Sequence, residues 1–171
     1  MKKYYFIIVI LLLFSGNNLF SQSSIPVAQS VFIYNFTRLI EWPADYKTGD
    51  FNIGVIGSSD VFNELKNYTN SKMVGAQPIK IIKFATTADI TKCHILFVSY
   101  GKTKEIPEIL SKLGGGSTLI VCENKASIEK GASVNFVIIE DKLKFELKTS
   151  NANSVGLKIH SNLENMASAK Y

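Results

Sequence analysis

The sequence predicts a three-layer, Rossmann-like α/β domain with about four parallel strands, a C-terminal antiparallel hairpin and helices on both faces of the sheet. Three observations carry that expectation. The run Phe51-Asn52-Ile53-Gly54-Val55-Ile56 is largely apolar on both parities, as a strand covered on both faces must be. It leads through Gly57-Ser58-Ser59 into Asp60-Val61-Phe62-Asn63-Glu64-Leu65, where a cap-type residue and helical apolar spacing make strand, turn and helix one βα unit. Near the C-terminus, apolar runs at 134–139 and 143–147 are separated only by Glu140-Asp141-Lys142, which is too short for a parallel crossover and demands a hairpin.

Taken in order, the first helix is expected at 27–41, with Ala28, Val31, Phe32, Asn35, Phe36, Leu39 and Ile40 as its core stripe. Pro43 stops it, because proline disfavours helical geometry in the residue before it. The strand at 51–56 follows as the innermost of the sheet, then a helix at 60–68 and a second strand at 79–84. The run Cys93-His94-Ile95-Leu96-Phe97-Val98-Ser99 reads as a buried strand. A helix at 103–113 is closed by Gly114-Gly115-Gly116, and a fourth strand spans 117–123. In the hairpin's second strand Lys142, Lys144, Glu146 and Lys148 alternate with Leu143, Phe145 and Leu147, a pattern with one wet face that suits a sheet edge. A last helix is expected at 151–167 with Ala152, Val155, Ile159, Leu163 and Met166 buried. Gly156 inside it costs about 1 kcal/mol against alanine, which close approach to a neighbouring element would offset.

The composition, 46% hydrophobic and 19% charged with four prolines in 171 residues, is that of a folded domain with one core. Lys2 and Lys3 precede an unbroken apolar stretch from Tyr4 to Phe14, then small and polar residues, which is the pattern of a secretory signal peptide. Eleven apolar residues fall short of the roughly 20 that span a bilayer. The expectation is cleavage after Ser21 or Gln22, leaving residues 22–171 as one soluble domain in the periplasm without a lipid anchor or membrane insertion. Loss of Lys2 and Lys3 leaves 17 basic against 14 acidic residues, a net +3. The lysines are scattered, so nucleic acid is not an expected partner.

Catalytic patterns fail one by one. Gly54-Val55-Ile56-Gly57 lacks the glycine pair and third glycine of a dinucleotide turn. Gly101-Lys102-Thr103 has Leu96 where a phosphate loop needs its first glycine. Cys93 and His94 are neighbours on a strand, so their side chains point to opposite faces and cannot pair as nucleophile and base. His160, the other histidine, lies far from any ligand-spaced partner, which disfavours a metal site. No enzyme, cofactor or metal is therefore expected. Cys93 opens one strand and Cys122 sits near the far end of another. In parallel strands that offset is ~13 to 16 Å, beyond the ~7 Å a disulfide bridges, so both are expected as free thiols. If the strand at 51–56 borders the strand at 93–99, the strand order reverses between them. The crevice there would be lined by Gly57, Ser58, Ser59, Tyr100, Gly101 and Lys102. A small solute bound in that crevice is the alternative function.

Several spaced segments resemble one family, the YfiR-like periplasmic proteins. They are Phe36 leading into Glu41-Trp42-Pro43, the run from Phe51 to Gly57, Gly75, Cys93-His94-Ile95-Leu96-Phe97, Gly131, Asn135-Phe136, Phe145-Glu146, and Gly156-Leu157-Lys158-Ile159-His160-Ser161. The resemblance covers nearly the whole mature chain. It implies a non-catalytic regulator, often a homodimer, that binds the periplasmic part of a membrane signalling protein. The best-known case restrains a membrane-bound diguanylate cyclase. The chain departs from the pattern at Lys148, where the family usually has asparagine, and at His160 and Asn162. Some relatives carry disulfides that the strand offset argues against here. Trp42 reads as a lid over the first helix or as a partner anchor. With Ile33 and Tyr34, which lie off the apolar stripe, it makes up the interface candidates.

Overall fold

The computed structural model describes residues 24–171; the leader expected at 1–21 lies outside them. Ten strands and five helices follow in chain order: α1 (Ser24–Leu39), β1 (Ile40–Glu41), β2 (Phe51–Ile56), α2 (Ser59–Tyr68), β3 (Met73–Val74), β4 (Gln77–Phe84), β5 (Ile95–Val98), α3 (Ile106–Leu113), β6 (Leu119–Cys122), β7 (Val134–Ile139), β8 (Lys142–Leu147), α4 (Thr149–Ser154), β9 (Lys158–Ile159), α5 (Ser161–Met166) and β10 (Ala169–Lys170). The main sheet has the order β10-β8-β7-β6-β5-β2-β4-β3. Strands β4, β2, β5, β6 and β7 are parallel, and β8 returns antiparallel to β7. The first strand of the expected hairpin is thus also the last of the parallel set.

The period of two along the strands separates two cores. Phe51, Ile53, Val55, Ile95, Phe97, Leu119 and Val121 point to one face, where α1, α2 and the C-terminal segment cover them. Ile56, Leu96, Val98, Ile120 and Cys122 point to the other, beneath Ile106 and Ile109 of α3. Gly54 lies on the α3 face, where no side chain fits because a Cβ would lie 2.5 Å from the Phe84 ring and 3.0 Å from Leu96. Cys93 and Cys122 are both buried and free. Burial pushes each thiol up to about 12.

Four expectations need correction. The core stripe of α1 is rotated: Gln29, Ser30, Ile33, Phe36 and Thr37 are buried, while Ile40 belongs to β1. Its polar members are satisfied locally or by the loop after β6, with Gln29 Nε2 donating to the Glu123 carboxylate (2.8 Å), Ser30 Oγ to the Pro26 carbonyl and Thr37 Oγ1 to the Tyr34 carbonyl. A stripe drawn through apolar residues alone misses it. Asp60 does not cap α2; Ser58 does, its Oγ accepting from the Val61 amide. The helix expected at 151–167 is two short helices with β9 between them. Gly156 adopts φ +79°, its amide bonds to the Asn153 carbonyl and that of Leu157 to the Ala152 carbonyl, so it is the left-handed stop of α4 rather than an interior residue. Finally, β8 is not the outermost strand, because β10 pairs with its end at Glu146 and Leu147. Glu146 is buried there, accepting from Asn135 Nδ2 at 2.9 Å and from the Tyr171 hydroxyl at 3.2 Å.

The hairpin turn itself has two residues. Glu140 and Asp141 both take positive φ (52° and 58°), the handedness that matches the twist of the flanking strands.

Candidate functional site

The strand order reverses between β2 and β5, as the crevice argument requires. The residues expected there meet only in part. Gly57 adopts φ +90°, and a Cβ on it would lie 2.2 Å from Ser99 Oγ and 2.6 Å from Lys102 Cγ. The lysine stem therefore packs onto the glycine and closes the reversal point. Its ammonium pairs with Glu105 at 2.7 Å, which neutralises the charge an anion would need. Ser58 is spent on capping α2, and Ser59 opens that helix. Gly101 has open space around it. Tyr100 turns away, its amide donating to Glu123 Oε1 at 2.8 Å. It lines a separate groove of about 590 Å³ with Ile25, Gln29, Glu123, Phe136 and Ile138.

The interface candidates separate as well. Ile33 is fully buried and Trp42 is 5% exposed, so neither presents a surface to a partner. Tyr34 is half-buried, edge-on to Tyr68, with the Lys72 ammonium 3.3 Å above the Tyr68 ring and 4.5 Å above its own.

A better-formed site lies at the opposite, N-terminal end of the strands. Its base is an aromatic cluster around His94. The imidazole stacks on Phe51 with 4.0 Å between centroids, and Trp42 and Tyr46 meet it edge-on. Nδ1 accepts from the Asn52 amide at 3.1 Å, which leaves Nε2 to donate to the Tyr46 carbonyl at 2.7 Å. Burial pulls the pKa of His94 down despite those bonds, so the ring is neutral. Trp42 Nε1 donates to the His94 carbonyl at 3.3 Å, tying the segment just after β1 to the residue just before β5.

Above that base lies a cavity of about 350 Å³ whose wall includes Ile40, Trp42, Phe51, Val74, Thr37 and Gln77. Its rim is charged. Glu41 and Lys47 pair at 3.1 Å, and the lysine's hydrogen bond and charge, with a further contribution from Lys158, hold the Glu41 carboxyl below its usual range. His160 reaches the rim because β1 and β9 pair antiparallel (Ile40 with Ile159, Glu41 with Lys158) and the His160 amide donates to the Leu39 carbonyl. Gln77 Nε2 donates to the carbonyls of Tyr46, Thr48 and Gly49, fixing the connection that forms one wall. Such an arrangement can hold a small polar molecule by its apolar part. It contains no nucleophile beside a base, and among the described residues no cluster of histidine, cysteine or carboxylate could hold a metal.

This site lies away from the expected crevice, yet its signal was in the sequence. Glu41, Trp42, Phe51, Gly75 and His160, five positions quoted for the family resemblance, line one cavity.

A family model described as DUF4154, YfiR/HmsC-like, matches residues 27–168. No curated protein matches the sequence. Among solved structures, the ABC domain in complex with L-Trp from Streptococcus pneumonia superposes with a TM-score of 0.58 at 15% identity. A conserved domain protein from Vibrio cholerae O1 biovar eltor does so with 0.59 at 11%. Each match covers 85% of this chain and 60% of the other, so the chain spans three-fifths of the length of either neighbour. At these identities they show the fold.

Proposed function

We propose, from the premise that this chain belongs to the YfiR/HmsC-like family, that it is an exported, non-catalytic regulator that binds the periplasmic part of a membrane signalling protein and restrains a diguanylate cyclase. The observation that carries the reading is the family match, which covers 27–168 and so nearly all of the described chain. A regulatory role in cyclic di-GMP signalling is what that family implies. The leader pattern at Lys2, Lys3 and Tyr4 to Phe14 supports export, and among the described residues no helix is long and apolar enough to cross a membrane.

A binder shifts a two-state enzyme only through unequal affinity for its active and inactive forms, so restraint requires preference for the inactive one. A hundredfold preference, about 2.7 kcal/mol, turns a mostly active population into a mostly inactive one at saturating protein. Deleting the gene should raise cellular cyclic di-GMP, and crosslinking from membranes should recover the signalling protein. Unchanged nucleotide with no membrane protein above background defeats the proposal. Intact mass of the exported form checks the address: it should lack residues 1–21 or 1–22.

A second reading, periplasmic solute binding, is favoured by two observations. The chain shares its fold with an ABC domain solved in complex with L-Trp and has a cavity with an apolar wall and charged rim. A solute binder gains RT ln(1 + [L]/Kd) in stability without any partner. A saturable thermal shift with one amino acid or other metabolite would support it, and a flat panel leaves the regulatory reading alone.

A further inference from the structure

The outer half of β8 is open. Ser168 donates its amide to the Phe145 carbonyl and Tyr171 to that of Leu147, so alternate residues of β8 turn their backbone groups away from β7. The same alternation turns the amide and carbonyl of Leu143 outward. Strand β10 reaches only Glu146 and Leu147, and among the described residues no other strand flanks β8 on that side.

The two faces of that edge differ in chemistry. Phe145 packs on Phe32 and Phe36, so Leu143 faces the α1 side, opposite Ile138 in the β7 register. There the two join Ile25 and Phe136 in the groove of about 590 Å³, with Ile138 51% exposed. Lys142 and Lys144 lie on the other face and take no part in the ion pairs of the described residues. Lysines at an open edge repel a second copy, because two β8 strands paired about a two-fold axis would set lysine against lysine. The chain's own leader cannot complement them, since residues 1–23 contain no aspartate or glutamate.

We infer that the edge at Lys142–Lys144 is a strand-addition site for an extended acidic segment of a protein partner, one whose side chains alternate apolar and carboxylate. Backbone bonds to Leu143 would set its register, its apolar residues would enter the Ile138–Leu143 groove, and its carboxylates would stand beside Lys142 and Lys144. The inference rests on the regulatory reading and adds to it the surface that meets the partner.

The test uses two eight-residue fluorescent peptides, one alternating leucine and glutamate, the other leucine and lysine, titrated onto the exported protein. The acidic peptide should bind saturably and slow hydrogen exchange at the Leu143 amide, and the basic one should not bind. The surface variant K142E/K144E should weaken the acidic peptide about tenfold or more and admit the basic one. Absence of acidic-peptide binding, binding that leaves the Leu143 amide unprotected, or binding indifferent to K142E/K144E overturns the inference. Membrane crosslinking in parallel separates the two claims. A signalling protein recovered equally by wild type and K142E/K144E defeats the edge and keeps the regulator. Recovery of none by wild type, with the peptide results intact, defeats the regulator and keeps the edge.

Discussion

The two ends of the parallel sheet are built on opposite plans. At the C-terminal end the reversal between β2 and β5 is closed by side-chain packing, Lys102 lying on Gly57 and paired to Glu105. At the N-terminal end an aromatic base holds a cavity open, and the residues on its rim come from two distant stretches, Glu41 and Lys47 from one and His160 from the other. Strand order alone marks where a crevice is permitted in a doubly wound sheet. Side-chain volume decides whether it stays open, and here one glycine without a Cβ lets a lysine fill it.

Four perturbations sharpen or break that contrast. The largest effect is expected for Trp42→Ala. Removing a 5%-exposed indole and its bond to the His94 carbonyl should cost about 3 to 5 kcal/mol of stability, read by denaturant unfolding. A loss under about 1 kcal/mol would mean that the aromatic base does not hold the N-terminal end. Next, Gly57→Val places a Cβ at φ +90° on top of Ser99 and Lys102, and should destabilise by about 1 to 3 kcal/mol or more. A neutral Gly57→Val would show the reversal point to be open after all.

The third is a pH effect. His94 is neutral and its folded pKa lies below the unfolded value, so the unfolded chain binds the extra proton as pH falls below about 6.5. The contribution of this residue to stability should be flat above that pH and fall beneath it, with a slope of at most about 1.4 kcal/mol per pH unit, until the folded ring itself protonates. His94→Gln should remove that part of the slope. A wild-type profile flat from pH 7 to pH 5 contradicts the buried neutral ring. The smallest effect is expected for Lys102→Ala. Its ion pair with Glu105 is about one-third exposed, so its loss should change stability by less than about 1 kcal/mol while opening space beside Gly57. A solute that binds only Lys102→Ala would show the C-terminal crevice to be shut by this side chain alone.

Much of the candidate site was legible in residue types and little of it in location. Glu41-Trp42, Phe51, Gly75 and His160 stood out in the sequence, but no spacing rule brings 41, 75 and 160 together. The β1–β9 bridge and the β3–β4 hairpin do so. Ile33 looked like a surface residue because its stripe also carries Gln29, Ser30 and Thr37, whose hydrogen bonds make their burial tolerable.

By itself the sequence determined the order of βα units, the parallel set, and the hairpin at Glu140-Asp141. Apolar runs, turn residues and short connections act locally and leave little choice of partner strand. Tertiary structure alone decided that Gly156 ends a helix, that Glu146 lies buried under β10, that Lys102 fills the crevice, and that a cavity opens above Phe51. The reason is physical. Burying a polar group or leaving a space unfilled depends on atoms supplied by segments dozens of residues away, and no local pattern encodes their arrival.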